Sequence, residues 1–286
     1  MSDHKEKRVQ KTIIRHRSEE HVNSFLMHCH LGMHSRFLKR NVNVDIFYPA
    51  ANGHKNQKET PTLFLNDGQD ARQLRLQKTL TSRYRNKDKA DIAVIGIHAG
   101  DRINEYGTSG TPDYMGRGWK AGQYTSFVLE ELMPFIRKEY GFAMDCSKTA
   151  IAGFSLGGLS AMDIAWHHPE YFTRVGVFSG SFWWRKKGLE DHYKDSDRIM
   201  HARIDSGSHK PELEFWFQAG TNDEKSDRNN NGIIDSIDDT LDIMKSLKNA
   251  GYTDASMTYV EVEGGEHNFH TWSEVFPEFL KWAFDR

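Results

Sequence analysis

Several things are scarce in this chain of 286 residues, and each scarcity excludes something. There are two cysteines, Cys29 and Cys146, too few for a disulfide framework, so both are expected as reduced thiols. No run of about 18 apolar residues occurs, so no membrane-spanning helix is expected. Charge of one sign is not in excess: the formal net charge is -2, and there is no basic block. The chain therefore has no field that would gather nucleic acid or an anionic membrane. Met1 to Thr12 is polar and charged, without the apolar segment of an export signal, so a cytoplasmic location is expected. Low-complexity runs and internal repeats are also missing. Residues 1–20 are expected as a flexible extension of a single domain that covers residues 1–286.

What is present begins with Gly153-Phe154-Ser155-Leu156-Gly157-Gly158. An apolar run, Thr149 to Ala152, precedes it, and a segment with helical character follows. A serine on a tight strand-to-helix turn carries its hydroxyl clear of the backbone, and glycines on either side allow the turn and close packing of the helix. A serine hydroxyl becomes a useful nucleophile only when a base takes its proton and a carboxylate orients that base. Both partners follow in order. Leu213 to Ala219 alternates as a strand and leads to Gly220-Thr221-Asn222-Asp223-Glu224. Met257 to Glu263 is a further strand, leading to Gly264-Gly265-Glu266-His267-Asn268-Phe269-His270. Ser155, Asp223 and His267 are thus the expected nucleophile, acid and base. Glu224 is a rival acid and His270 a rival base. The plainer reading of Ser155 is an N-cap.

Elsewhere the first part of the chain reads as β-rich. Strands and helices then alternate, which predicts a mostly parallel sheet covered on both faces. Asp91 to Ile97 is a buried strand. Phe127, Leu132, Phe135, Ile136 and Tyr140 make an apolar helical stripe that ends at Gly141. Gly157 to His167 and Ile237 to Ala250 are further helices, and Pro277 starts or kinks the last one. Ala99 to Gln123 is a long connection with six glycines, carrying Arg102, Tyr106, Tyr114 and Trp119. It is expected to wall the substrate site. Trp183 and Trp184, on the rim shared with Ser155, are expected to line an acyl or aromatic pocket.

Two clusters raise the question of metal. His28 and His30 share one face of a strand, but no third ligand stands nearby in sequence, so the expectation is a half-exposed strand. Asp227 to Asp238 is different. Asp227, Asn229, Asn231, Asp235 and Asp238 fall at positions 1, 3, 5, 9 and 12 of a calcium loop, with Gly232 at 6 and the Ile233 carbonyl at 7. A structural Ca2+ is expected there. The alternative is an Asx-rich turn.

These residues resemble the putative esterase branch of the α/β-hydrolases, which includes esterase D, feruloyl and acetyl-xylan esterases, enterochelin-type siderophore esterases and mycolyltransferases. The likeness runs from about Val42 to Trp272. It rests on Asn43 to Pro49, Thr62 to Gln69, Leu129 to Ile136, and the turns at Gly153 to Gly158, Gly220 to Asp223 and Gly264 to Trp272. It implies an α/β-hydrolase fold, a three-layer sandwich. It also implies an oxyanion hole from the backbone N–H of Leu156 and of Gly68 or Gln69, and the first histidine, His267, as base. The expected activity is serine carboxylic-ester hydrolysis through an acyl-enzyme, on a small, carbohydrate or siderophore-type ester, with no organic cofactor. Acyl transfer by the same triad, or calcium-stabilised binding without catalysis, are the alternatives.

Overall fold

A computed structural model describes residues 13–50, 60–208, 210 and 212–285. Nine strands form one sheet: β1 (Ile13–His21), β2 (Leu26–Ser35), β3 (Arg40–Pro49), β4 (Thr62–Asn66), β5 (Ala93–Ile97), β6 (Thr149–Phe154), β7 (Arg174–Phe178), β8 (Glu214–Asn222) and β9 (Met257–Glu266). Their order is β1-β2-β3-β5-β4-β6-β7-β8-β9. The pairings from β1 to β5 are antiparallel and those from β5 across to β9 are parallel.

Alternation along the strands sorts the core into two layers. Phe64, Ile95, Ile151, Val175, Phe215 and Phe217 face one cluster, which is completed by the helices α3 (Ala121–Ser126), α4 (Met133–Tyr140), α5 (Leu156–His167), α6 (Ile199–Ser206) and α7 (Asp235–Asn249). Leu63, Leu65, Val94, Ala150, Ala152 and Trp216 face the other, under α1 (Leu76–Arg85) and α8 (Phe269–Phe284). Successive side chains of a strand point to opposite faces, so a sheet covered on both sides has apolar residues at every position of its central strands. The result is the expected three-layer α/β-hydrolase sandwich.

Local departures have local causes. Residues 13–20 belong to β1, antiparallel to β2, and are not a loose extension; residues 1–12 lie outside the described residues. The strand is polar and largely exposed because it is the sheet edge, so it carries no apolar alternation to read. The stripe from Phe127 to Tyr140 lies on a continuous helix from Ala121 to Tyr140 whose middle, Phe127–Leu132, is π-helical between α3 and α4. It ends at Gly141 with φ 72°. Pro277 sits inside α8. Ala99 to Gln123 is packed structure. It contains the one-turn helix α2 (Arg102–Glu105), and the Arg40 guanidinium pairs with buried Glu105. No helix among the described residues is long and apolar enough to cross a membrane.

Candidate active site

Ser155 stands between the end of β6 and the start of α5 with φ 54° and ψ -120°. A non-glycine residue pays strain in that region, and such strain persists only where the surroundings hold it. Here the Ser155 N–H donates to the Phe178 carbonyl at 2.8 Å, and the Ser155 carbonyl accepts from the Ser181 N–H at 3.2 Å. The flanking glycines are required by space. A Cβ on Gly153 would lie 2.3 Å from the Gly157 oxygen, and one on Gly157 would lie 2.7 Å from an Asp67 carboxylate oxygen. Leu156 is the first residue of α5, so its N–H has no partner within the helix. The Ser155 hydroxyl is 3.2 Å from that of Ser181.

The loop after β4 approaches the same turn. Asp67 has φ 61° and begins the short 3-10 helix Gly68–Asp70. Gly68 presses on β5 so closely that a Cβ there would lie 2.3 Å from the Gly96 backbone. Arg102 grips the buried Asp67 carboxylate with Nε and Nη2, both at 2.8 Å, and Nη2 also donates to the Phe154 carbonyl at 3.2 Å. One guanidinium therefore ties the loop of Gly68 and Gln69 to the residue before Ser155. Sequence reasoning had no signal for this clamp beyond the presence of Arg102 in the long connection.

Asp223 ends the turn after β8, and His267 follows β9. The His267 Nδ1 is 3.9 Å from Asp223 Oδ2, and the Asp223 side chain is fully buried. At that separation burial prevails over attraction. Among the described residues neither Asp223 carboxylate oxygen has a hydrogen-bond partner, and burial raises the carboxyl above its ordinary range against the charge of His267. Burial also lowers His267, with the Asp223 charge opposing and the Arg102 charge adding to the depression. His267 is thus favoured as the neutral imidazole, the form a base requires. Its ring lies edge-on to Trp272, 5.2 Å between centroids, and the Trp272 indole N–H donates to the Ser179 hydroxyl at 2.9 Å. The rivals stand differently. His270 is exposed and faces Glu274 at 3.5 Å. Glu224, whose carboxyl is raised first by burial and then by Asp235, has no ion pair with His267 among the described residues. A cleft of about 560 Å3 opens beside the pair, lined by Asn222 to Lys225 and Glu266 to Asn268.

The expected aromatic walls need correction. Tyr106 is completely buried, and its hydroxyl accepts the Asp67 N–H at 2.9 Å; it supports the loop from beneath. Trp184 is also completely buried, against Gly107 and Gly118. Both side chains belong to the core because the chain on either side of them turns inward. Trp183 is half-buried beneath the Arg117 guanidinium, and Trp119 is exposed with Lys120 over its ring.

The segment from Asp227 to Asp238 follows β8 and runs into the first turn of α7. The Asp227 carboxylate accepts the N–H groups of Asn231 and Gly232. Asp238 accepts the amides of Asn229 and Asn231. Asp235 accepts the Arg228 N–H at 2.9 Å. Gly232 has the positive φ, 84°, that position 6 of such a loop needs.

The chain matches the family described as Putative esterase over residues 35–283. It belongs to that family. Membership supports hydrolysis of esters as its chemistry. YbbA of Bacillus subtilis, an uncharacterized protein, is 21% identical over 79% of this chain and 86% of its own length. The iron(III) enterobactin esterase of Escherichia coli is 41% identical over a 61-residue stretch, 21% of this chain and 15% of that protein. Among solved structures, the enterobactin esterase of Shigella flexneri, determined with enterobactin, superposes with a TM-score of 0.71 at 21% identity over 89% of this chain. The chain spans 57% of that enzyme's length. A ferulic acid esterase superposes with a TM-score of 0.68 at 16% identity, over 92% of this chain and 98% of its own.

Proposed function

We propose that the chain is a serine carboxylic-ester hydrolase acting through an acyl-enzyme. The observation that carries this reading is the strained Ser155 turn after β6, with a neutral-favoured His267 after the parallel strand β9 backed by a buried Asp223 after β8. Ser155 Oγ attacks the ester carbonyl and His267 takes its proton. The tetrahedral oxyanion is held by the N–H of Leu156 and of Gly68 or Gln69. As the intermediate collapses, His267 gives the proton to the leaving alcohol, and water then repeats the cycle on the acyl-serine. Asp223 stabilises the imidazolium when it forms. The 3.9 Å spacing tightens in that step, because apo hydrogen bonds of such sites are commonly long.

The cleft beside the pair is lined by Glu224, Lys225, Glu266 and Asn268, which favours a polar alcohol portion over an aliphatic one. Together with the named activities of the relatives, this supports a siderophore-type or carbohydrate ester as substrate. Asp227, Asn229, Asn231, Ile233, Asp235 and Asp238 offer three carboxylates, two amide oxygens and a carbonyl, a donor set suited to a hard cation. Calcium there would fix the turn that carries Asp223. The reading is tested with p-nitrophenyl acetate and with a catecholate serine ester: both should be hydrolysed by the wild type and by neither Ser155→Ala nor His267→Ala.

A further inference from the structure

The hairpin of β2 and β3, with the end of β5 beside it, brings imidazoles around one carboxylate. His28 and His30 lie on one face of β2, and His30 is the register partner of Asp45 on β3. Asp45 in turn pairs with Gly96 on β5, and His98 lies two residues beyond on the same face. Gly96 has no side chain, and the Gly68 backbone packs where its Cβ would stand, 3.1 Å away. His30 Nδ1 is 2.7 Å from Asp45 Oδ1 and His98 Nε2 is 2.6 Å from Oδ2. The ligand atoms of these three residues all lie within 4.8 Å of one another, and no other such group occurs among the described residues. His28 Nε2 is 2.8 Å from Asp45 Oδ1, while its Nδ1 faces Glu20 at 3.5 Å.

We propose that His30, Asp45 and His98 form a binding site for a divalent transition-metal ion of the Zn2+ class, with solvent completing the coordination. Two imidazoles and one carboxylate are a borderline donor set, preferred by Zn2+, Co2+ and Fe2+ over Ca2+ or Mg2+. The His30 side chain is 30% exposed, so an ion has a route in and water has a place to bind. Bonds of about 2.1 Å in a tetrahedron need ligand atoms roughly 3.3 Å apart, so small side-chain rotations open the present contacts to metal spacing. His28 holds the Asp45 carboxylate from outside, and Glu20 holds His28. Carboxylate–histidine support of this kind orients metal ligands. His16, stacked on His30 at 5.2 Å, covers the outer side. The charged groups facing the site are therefore Glu20 and Asp45, with His16, His28, His30 and His98. The site abuts the active-site frame: the Gly68 backbone packs on Gly96, and the Ala99 N–H, next to His98, donates to the Gln69 side chain at 3.1 Å. A bound ion would pin β2, β3 and β5 together beneath that loop.

The test is metal titration of chelator-stripped, dialysed full-length protein with Zn2+ and with Co2+, whose ligand-field bands report nitrogen and oxygen donors. One equivalent should bind, and the melting temperature should rise with it. Affinity should fall on acidification, because protons compete with the metal for the ligand atoms. His30→Ala with His98→Ala should lose more than about 100-fold in affinity, and His28→Ala about 10- to 100-fold. Asp45→Asn, close in shape, serves if the alanine variants fail to fold, and should also weaken binding. Asp227→Ala should bind as the wild type does. Less than a tenth of an equivalent on the wild type would overturn the proposal. So would an equivalent that binds with the same affinity to Asp45→Asn or to the double variant. Either result would leave the cluster a hydrogen-bonded pin between strands.

Discussion

Arg102 offers the sharpest perturbation of the site that does not touch the reacting groups. Its guanidinium makes two 2.8 Å contacts to Asp67, which is only 3% exposed, while the Arg102 side chain itself is 38% exposed. Removing one partner of a fully buried pair costs about 3–5 kcal/mol, and an exposed pair is worth about 0–1 kcal/mol. With one partner buried and the other half in water, Arg102→Ala should cost about 2 kcal/mol. In a chain of this size that is a fall of about 4–8 °C in melting temperature. The activity should suffer beyond stability, since Arg102 joins the Asp67 loop to the Phe154 carbonyl. Misplacing one oxyanion donor costs up to about 100- to 1000-fold in kcat, so a partial loss of about 10- to 100-fold is expected in kcat, with a smaller change in KM. A second readout has a fixed sign. Arg102 is one of the groups that lowers the pKa of His267. Its loss should raise that pKa and move the acid limb of the kcat/KM profile to higher pH. The assays are urea unfolding and pH-dependent ester hydrolysis on Arg102→Ala, Asp67→Asn and the pair. The double variant should be less destabilised than the sum of the singles, because the buried charge goes with its partner. A loss under about 0.5 kcal/mol, kcat within twofold and an unmoved acid limb would refute the clamp.

Four further outcomes are expected. His267→Ala should abolish ester hydrolysis while His270→Ala stays within about threefold, as measured by kcat/KM; the reverse order would assign the base to His270. The wild-type acid limb should lie below the ordinary imidazole value of about 6.5, because burial lowers His267 and the base must be neutral to act. Buried His201, held well below its ordinary value first by desolvation and then by Arg198, should make stability fall as pH drops below about 6.5. There the unfolded chain takes up a proton that the folded one refuses, so urea midpoints should decline from pH 7 to pH 5. Calcium should raise the melting temperature of the wild type and not that of Asp227→Ala with Asp235→Ala; equal shifts in both would leave the loop an Asx-rich turn.

The parallel half of the fold was legible because β5 and β6 are buried on both faces and stand out as continuous apolar runs. The Ser155 turn was legible for a steric reason, since Gly153 and Gly157 leave no room for a Cβ. Burial of aromatic residues was not. Tyr106 and Trp184 have the composition of a pocket wall, and only the path of Ala99 to Gln123 reveals them as core. β1 escaped because an exposed edge strand has no apolar period. The histidines at 28, 30 and 98 gave no usable ligand spacing, because antiparallel register, rather than proximity in sequence, brings Asp45 and His98 to them.

Covalent acylation of Ser155 is read most directly from the mass of the intact protein and of its peptides after brief reaction with a fluorophosphonate and with a slowly turned-over ester. One adduct per chain is expected, mapped to Ser155, lost in Ser155→Ala and strongly slowed in His267→Ala. An adduct on another residue, or full ester turnover by a Ser155→Ala protein that takes no label, would contradict that assignment.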